Sequence, residues 1–177
     1  PVLGSQVLPT GLSAQYGEPS LAQACTLSAT NLLGPITATP QAGFEISLNQ
    51  STGFAAMPLT NLTSGSIIYV RTAANKAVGL FNNAVCVQLS SSSASNSNIT
   101  CSATANQISQ RALLITANNA QKELGNTLLP VLASTAFTTS WMPPTETIST
   151  VDIAYGAAAA ASGSGTGVGV YPNQVFA

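Results

Sequence analysis

Apolar residues recur along this chain in short alternating runs, and that pattern predicts strands. Successive side chains of a strand point to opposite faces, so an apolar residue at every second position marks a segment with one buried face. Runs of this kind occupy residues 22–29, 36–39, 44–48, 57–62, 67–72, 83–89 and 98–103. Turn chemistry separates them: Leu33-Gly34-Pro35, Pro40-Gln41-Ala42-Gly43, Ser51-Thr52-Gly53, Ser64-Gly65 and the polar tract 90–98. Short strands between such turns predict an all-β fold, led by a β-sandwich. No long window sustains an apolar period of 3.6, so helix is not expected as a main element.

The same pattern divides the chain. Residues 1–11, with Pro1, Gly4, Pro9 and Gly11, read as a linker, and 12–16 as a first extended strand. The sandwich is expected over 12–107. Around 108–111 the pattern restarts, and Ala112-Leu113-Leu114-Ile115-Thr116-Ala117 opens a second, smaller β-module over 108–177, with further strands at 137–141 and 148–155. Residues 120–132 have a helix-like composition, but Gly125 and Pro130 interrupt it. Residues 156–169 are rich in Ala, Gly and Ser. They are expected to form a flexible loop or a close-packed segment against another chain.

Composition narrows the function more than the fold. The 177 residues include four basic and five acidic side chains and no histidine, so 5% are charged, where about a quarter is usual. The net charge of −1 gives no electrostatic attraction for nucleic acid or an anionic membrane. Arg71, Lys76, Arg111 and Lys122 are scattered and form no patch. No stretch of about 20 apolar residues exists to span a membrane. The abundant Ser, Thr and Asn must keep the exposed strand faces wet.

Three cysteines, Cys25, Cys86 and Cys101, allow at most one internal bridge. In Val85-Cys86-Val87-Gln88-Leu89 the apolar set is Val85, Val87 and Leu89, which turns Cys86 to the other face. Cys25 shares a face with Leu27 and Cys101 with Ile99, so both are expected in the core. That favours Cys25–Cys101. Cys86–Cys101, across the Ser-rich turn, is the rival, and three buried free thiols are the third reading.

Other chemistry is thin. Ser and Thr are plentiful, but there is no His to activate one. Glu18, Glu45, Glu123, Glu146 and Asp152 read as separate solvated groups rather than a catalytic pair, and Glu45, between Phe44 and Ile46, should face away from both. Zinc lacks ligands at short spacing, and no cofactor is expected. Residues 163–169 (Gly-Ser-Gly-Thr-Gly-Val-Gly) lack the Gly-Lys-Ser/Thr ending of a nucleotide loop. Trp141, beside Met142-Pro143-Pro144, is the candidate contact residue. Asn49, Asn61 and Asn98 stand in N-glycosylation patterns.

Longer stretches carry a family resemblance. Tyr16-Gly17-Glu18-Pro19-Ser20, Leu27-Ser28-Ala29-Thr30-Asn31-Leu32, Gly43-Phe44-Glu45-Ile46-Ser47-Leu48, Ile68-Tyr69-Val70-Arg71 and Ala77-Val78-Gly79-Leu80-Phe81 resemble, in order and spacing, an immunoglobulin-like repeat of very large surface and secreted proteins of Bacteroidota. From Leu113 the chain resembles an MBG-type module. The carriers are Leu114-Ile115-Thr116-Ala117-Asn118-Asn119-Ala120-Gln121-Lys122, Val151-Asp152-Ile153-Ala154-Tyr155-Gly156 and Gly169-Val170-Tyr171-Pro172-Asn173. By that resemblance the second module reads as incomplete, ending before a closing strand that more chain or a neighbouring copy would supply. The resemblance implies a non-enzymatic repeat of an extracellular adhesin or stalk, with other copies or neighbouring repeats as partners. The alternatives are a filament subunit joined by β-strand exchange and a module that binds surface glycans.

Overall fold

A computed structural model describes residues 1–123, 126–142 and 146–156, and the backbone of 175–176. Strands alone make up its regular secondary structure. The chain divides into two compact units, residues 1–111 and 112–177.

The first unit is a β-sandwich. One sheet has the order β1 (Val2–Ser5), β3 (Gln23–Thr30), β7 (Ile67–Thr72), β5 (Phe44–Ser47), and the other β10 (Ala94–Thr100), β9 (Val85–Ser91), β4 (Ile36–Pro40), β6 (Leu59–Leu62). All these pairings are antiparallel. This resembles the two-sheet arrangement of immunoglobulin domains, with one exchange: the chain visits β5 at the edge of the first sheet before β6 at the edge of the second. The inward residues alternate as the sequence predicts. Cys25 and Leu27, Ile36 and Ala38, Phe44 and Ile46, and Ile68 and Val70 form one buried cluster with Val87, Leu89 and Ile99.

A small third sheet joins β2 (Ala14–Gln15), β11 (Gln107–Ser109) and β8 (Gly79–Leu80), with β11 parallel to β2 and antiparallel to β8. It carries residues 107–109 into the first unit and moves the boundary from 107/108 to 111/112.

Two expectations need correction. Residues 1–11 are not all linker: Val2–Ser5 pairs with Leu27–Thr30, and Leu3 is buried. Gly and Pro suggested a break, but an edge strand tolerates both. The polar tract 90–98 is not all turn. Ser91 pairs with Ala94, so the turn needs only Ser92 and Ser93, and the rest is edge strand anchored by the buried Ile99.

In the second unit β12 (Ile115–Ala117) pairs with β14 (Phe137–Thr139), and β15 (Val151–Tyr155) lies between β13 (Val131–Ser134) and β16 (Val175–Phe176). Within the second unit Ala154 pairs with Phe176 and Tyr155 with Val175. Ile153 is the one buried apolar side chain among the described residues of this unit. The stretch 157–174, with the Gly-rich loop and the Tyr171 motif, lies outside the described residues, as do Leu124, Gly125 and Pro143–Thr145.

Candidate functional site

The densest chemistry lies inside the sandwich, where three thiols are buried in one apolar cluster. Cys25 and Cys86 have no exposed surface and Cys101 has 1%. All three are free thiols. The alternation that turned Cys86 outward fails because β9 contains a bulge. Ile99 pairs with Val87, but Thr100 pairs with Val85, leaving Cys86 as an extra residue. A bulge sets two residues against one and re-aims a side chain, so Cys86 and Val87 both reach the core. The Cys86 thiol donates to the Ile99 carbonyl at 3.0 Å, and the Cys101 amide donates to the Ala84 carbonyl at 2.8 Å.

Lys76 completes this cluster. Its Nζ is 3.9 Å from the ring centre of Phe44 and 4.7 Å from that of Phe81. The two rings meet edge to face at 5.8 Å. Faces of aromatic rings attract a cation, which holds a half-buried ammonium where water is scarce. Burial pulls Lys76 below its usual value, against an opposing pull from Cys101 and Cys86. Cys25 is pushed up to about 12, first by burial and then by Cys101. Cys86 is raised further, by its hydrogen-bonding contact with Cys101 and by burial. Cys101 is lowered, first by that contact and then, against its own burial, by Lys76. The surroundings thus favour the protonated form of Cys25 and Cys86 and shift Cys101 the other way.

Beside it, Asn106 is buried and fastens three segments. Its Oδ1 accepts from the Leu12 amide at 3.2 Å. Its Nδ2 shares two hydrogens among the Ser102 carbonyl (2.9 Å), the Thr104 carbonyl (2.9 Å), Ser102 Oγ (3.1 Å) and Asn82 Oδ1 (3.3 Å). No sequence signal marked this residue: one Asn in a tract of Ser, Thr and Ala carries no periodicity.

Charged groups are mostly spent on the protein itself. Arg71 meets Glu45 at 2.7 Å and stacks 4.2 Å over Phe54. Arg111 meets Glu18 at 2.5 Å. Lys122 donates to the Asn126 carbonyl at 3.2 Å, and Asp152 accepts from the Ala133 amide at 2.9 Å. A cleft of about 300 Å3 at one end of the sandwich is lined by Ala29, Leu32, Ile36, Leu62 and neighbouring polar residues, none of them titratable.

Trp141 is half-buried. It follows Ser140, whose amide donates to the Leu114 carbonyl at 2.9 Å and whose hydroxyl accepts from the Leu114 amide at 3.0 Å. Asn49, Asn61 and Asn98 are exposed. Among the described residues no group of three or more His, Cys, Asp or Glu is arranged to hold a metal ion, and no helix is long and apolar enough to cross a membrane. No family model, curated protein or solved structure matches the chain.

Proposed function

We propose that this chain is a non-enzymatic, extracellular structural repeat of a long cell-surface adhesin or stalk. One observation carries the reading: the few charges are turned back onto the protein, as in Glu45–Arg71 and Glu18–Arg111, while the exposed strand positions are largely uncharged, as along β10. A surface of hydroxyls and amides can pack against a neighbour without stripping water from charges, which costs several kcal/mol or more per buried ion. It is also nearly indifferent to salt. The resemblance to immunoglobulin-like and MBG-type repeats supports the same reading, and the sandwich supplies the mechanical unit.

Mild proteolysis of intact source cells tests it. Release of peptides from this chain, before any cytoplasmic marker appears, is the expected result. Peptides found only after lysis would overturn an extracellular role. Electron microscopy of the shed material separates the readings: thin beaded strands fit a stalk, whereas helical fibres sharing a strand between copies would replace it with a filament subunit.

A further inference from the structure

We propose that Cys86 and Cys101 form a redox-active dithiol that closes to an internal disulfide by exchange with an external disulfide of the glutathione type, leaving Cys25 as a free thiol. The bulge in β9 places Cys86 in the core as the unpaired residue between Val85 and Val87, whose partners on β10 are Thr100 and Ile99. Cys101 follows Thr100 directly and is tied by its amide to Ala84. Both thiols therefore belong to one stretch of adjacent backbone and are buried in the same core. Cys25 sits on the opposite sheet, on β3.

The roles follow from the surroundings. A low-pKa thiol attacks and its neighbour resolves. Cys101 is the thiol that Cys86 and Lys76 make acidic, and it adjoins a loop whose residues Ala103, Thr104 and Ala105 are exposed. Because Cys101 is buried, the reagent reaches it only through a local opening of that loop, which Asn106 fastens at Ser102 and Thr104. The Cys101 thiolate attacks one sulfur of the external disulfide, forming a mixed disulfide and expelling one thiolate. Cys86 then gives up its proton to solvent base and attacks Cys101 Sγ, expelling the second thiolate. Two protein thiols become one disulfide, and the external disulfide becomes two thiols.

Trypsin gives a direct readout. Of its sites, Arg71, Lys76 and Arg111 place Cys86 and Cys101 together in peptide 77–111 and Cys25 in peptide 1–71. The full chain is reduced, exposed while folded to oxidised glutathione at mildly alkaline pH, quenched in acid, alkylated under denaturing conditions and digested. The expected result is peptide 77–111 lighter by two hydrogens and unalkylated, with Cys25 alkylated. Cys86→Ser should trap glutathione on Cys101, and Lys76→Met should slow closure several-fold. A cross-link between peptides 1–71 and 77–111 would overturn the proposal, as would two alkylated cysteines in 77–111 after prolonged oxidation of the unmodified chain.

Discussion

The two units are built from the same kind of strand but are held together differently. In the first, both sheets bury an alternating apolar face against each other, and Phe44, Ile36, Ile68 and Leu89 lie in one continuous interior. In the second, the strands are short and Ile153 stands alone as a buried apolar side chain among the described residues. Buried apolar area is the main favourable term in folding. The difference teaches that similar strand patterning can bury very different amounts of apolar surface, as the described residues of the two units show. Calorimetry of the whole chain should show a dominant cooperative transition from residues 1–111 and a weaker contribution from the rest.

Core truncation breaks that contrast hardest. Phe44→Ala removes a ring that packs on Phe81 and carries the Lys76 ammonium, and should cost about 3–5 kcal/mol. Urea titration should show the first unit's midpoint falling while the circular-dichroism signal of the second is unmoved. A matching fall in both would mean they unfold together. Asn106→Ala comes next. It leaves the Leu12 amide and the Ser102 and Thr104 carbonyls without their buried partner, at about 1–3 kcal/mol for the unsatisfied groups. Hydrogen exchange should quicken at Leu12 before it does at Ile46.

How much of this was legible follows from where the information lies. Where an apolar face met a second sheet, alternation was enough: residues 67–72 were expected as a strand and are one, and Glu45 turns away from Phe44 and Ile46 as read. Edges were not legible. Val2–Ser5 and Ala94–Thr100 each bury a single side chain, Leu3 and Ile99, too few to show a period over 94–97. The candidate site was legible only in its residue types. Cys86 was turned the wrong way because a bulge, set by pairing with another strand, adds one residue and reverses the alternation. Lys76 gave no sign of its cage, since Phe44 and Phe81 lie far from it in pattern though close in space.

Alkaline pH should separate the units again, because every cysteine is in the first. Cys25 ionises near 9.0 when unfolded but only near 12 when folded, and Cys86 is raised as well. Between those values the unfolded state has lost protons that the folded state keeps, so stability falls as pH rises. Lys76 works the other way up to 10.5, since its folded value is lowered. Cys101, lowered when folded, adds nothing above 9.0. Two thiols against one amine leave a net loss of stability as pH rises above 9, steeper above 10.5 where Lys76 no longer offsets it. Denaturant midpoints of the reduced chain across this range check it. Cys25→Ala should flatten the slope, and a flat profile in the parent chain would contradict the buried, protonated thiols.

Among the described residues of the second unit, a carboxylate braces a bulge. Val131 pairs with Ile153 and Ser134 with Val151, so β13 carries one extra residue. Ala133, at a φ of 52°, takes up the distortion, and its displaced amide donates to Asp152 Oδ1. Asp152→Ala should cost about 1 kcal/mol, near the low end for a bond to a charged acceptor because the site is exposed. Asp152→Asn, which keeps an acceptor oxygen, should cost less. Because the hydrogen bond is exposed, even the smaller loss should show as faster exchange at Ala133.

The smallest effect is expected where the first unit shows its best ion pair. Glu45 and Arg71 stand directly opposite on β5 and β7, in the arrangement where cross-strand pairs contribute most, with Phe54 under the guanidinium. Both side chains keep about a quarter of their surface in water, so solvent already screens them. A double-mutant cycle with Arg71→Met and Glu45→Gln should give a coupling of about 0.5–1 kcal/mol that shrinks in high salt. Set beside Asp152, the result tests what charges do here. A coupling that persists in high salt would mean the sandwich depends on its outer ion pair as the second unit depends on its carboxylate. A small, screened one would mean the dry interior alone holds the first unit, leaving its outer face free to stay neutral.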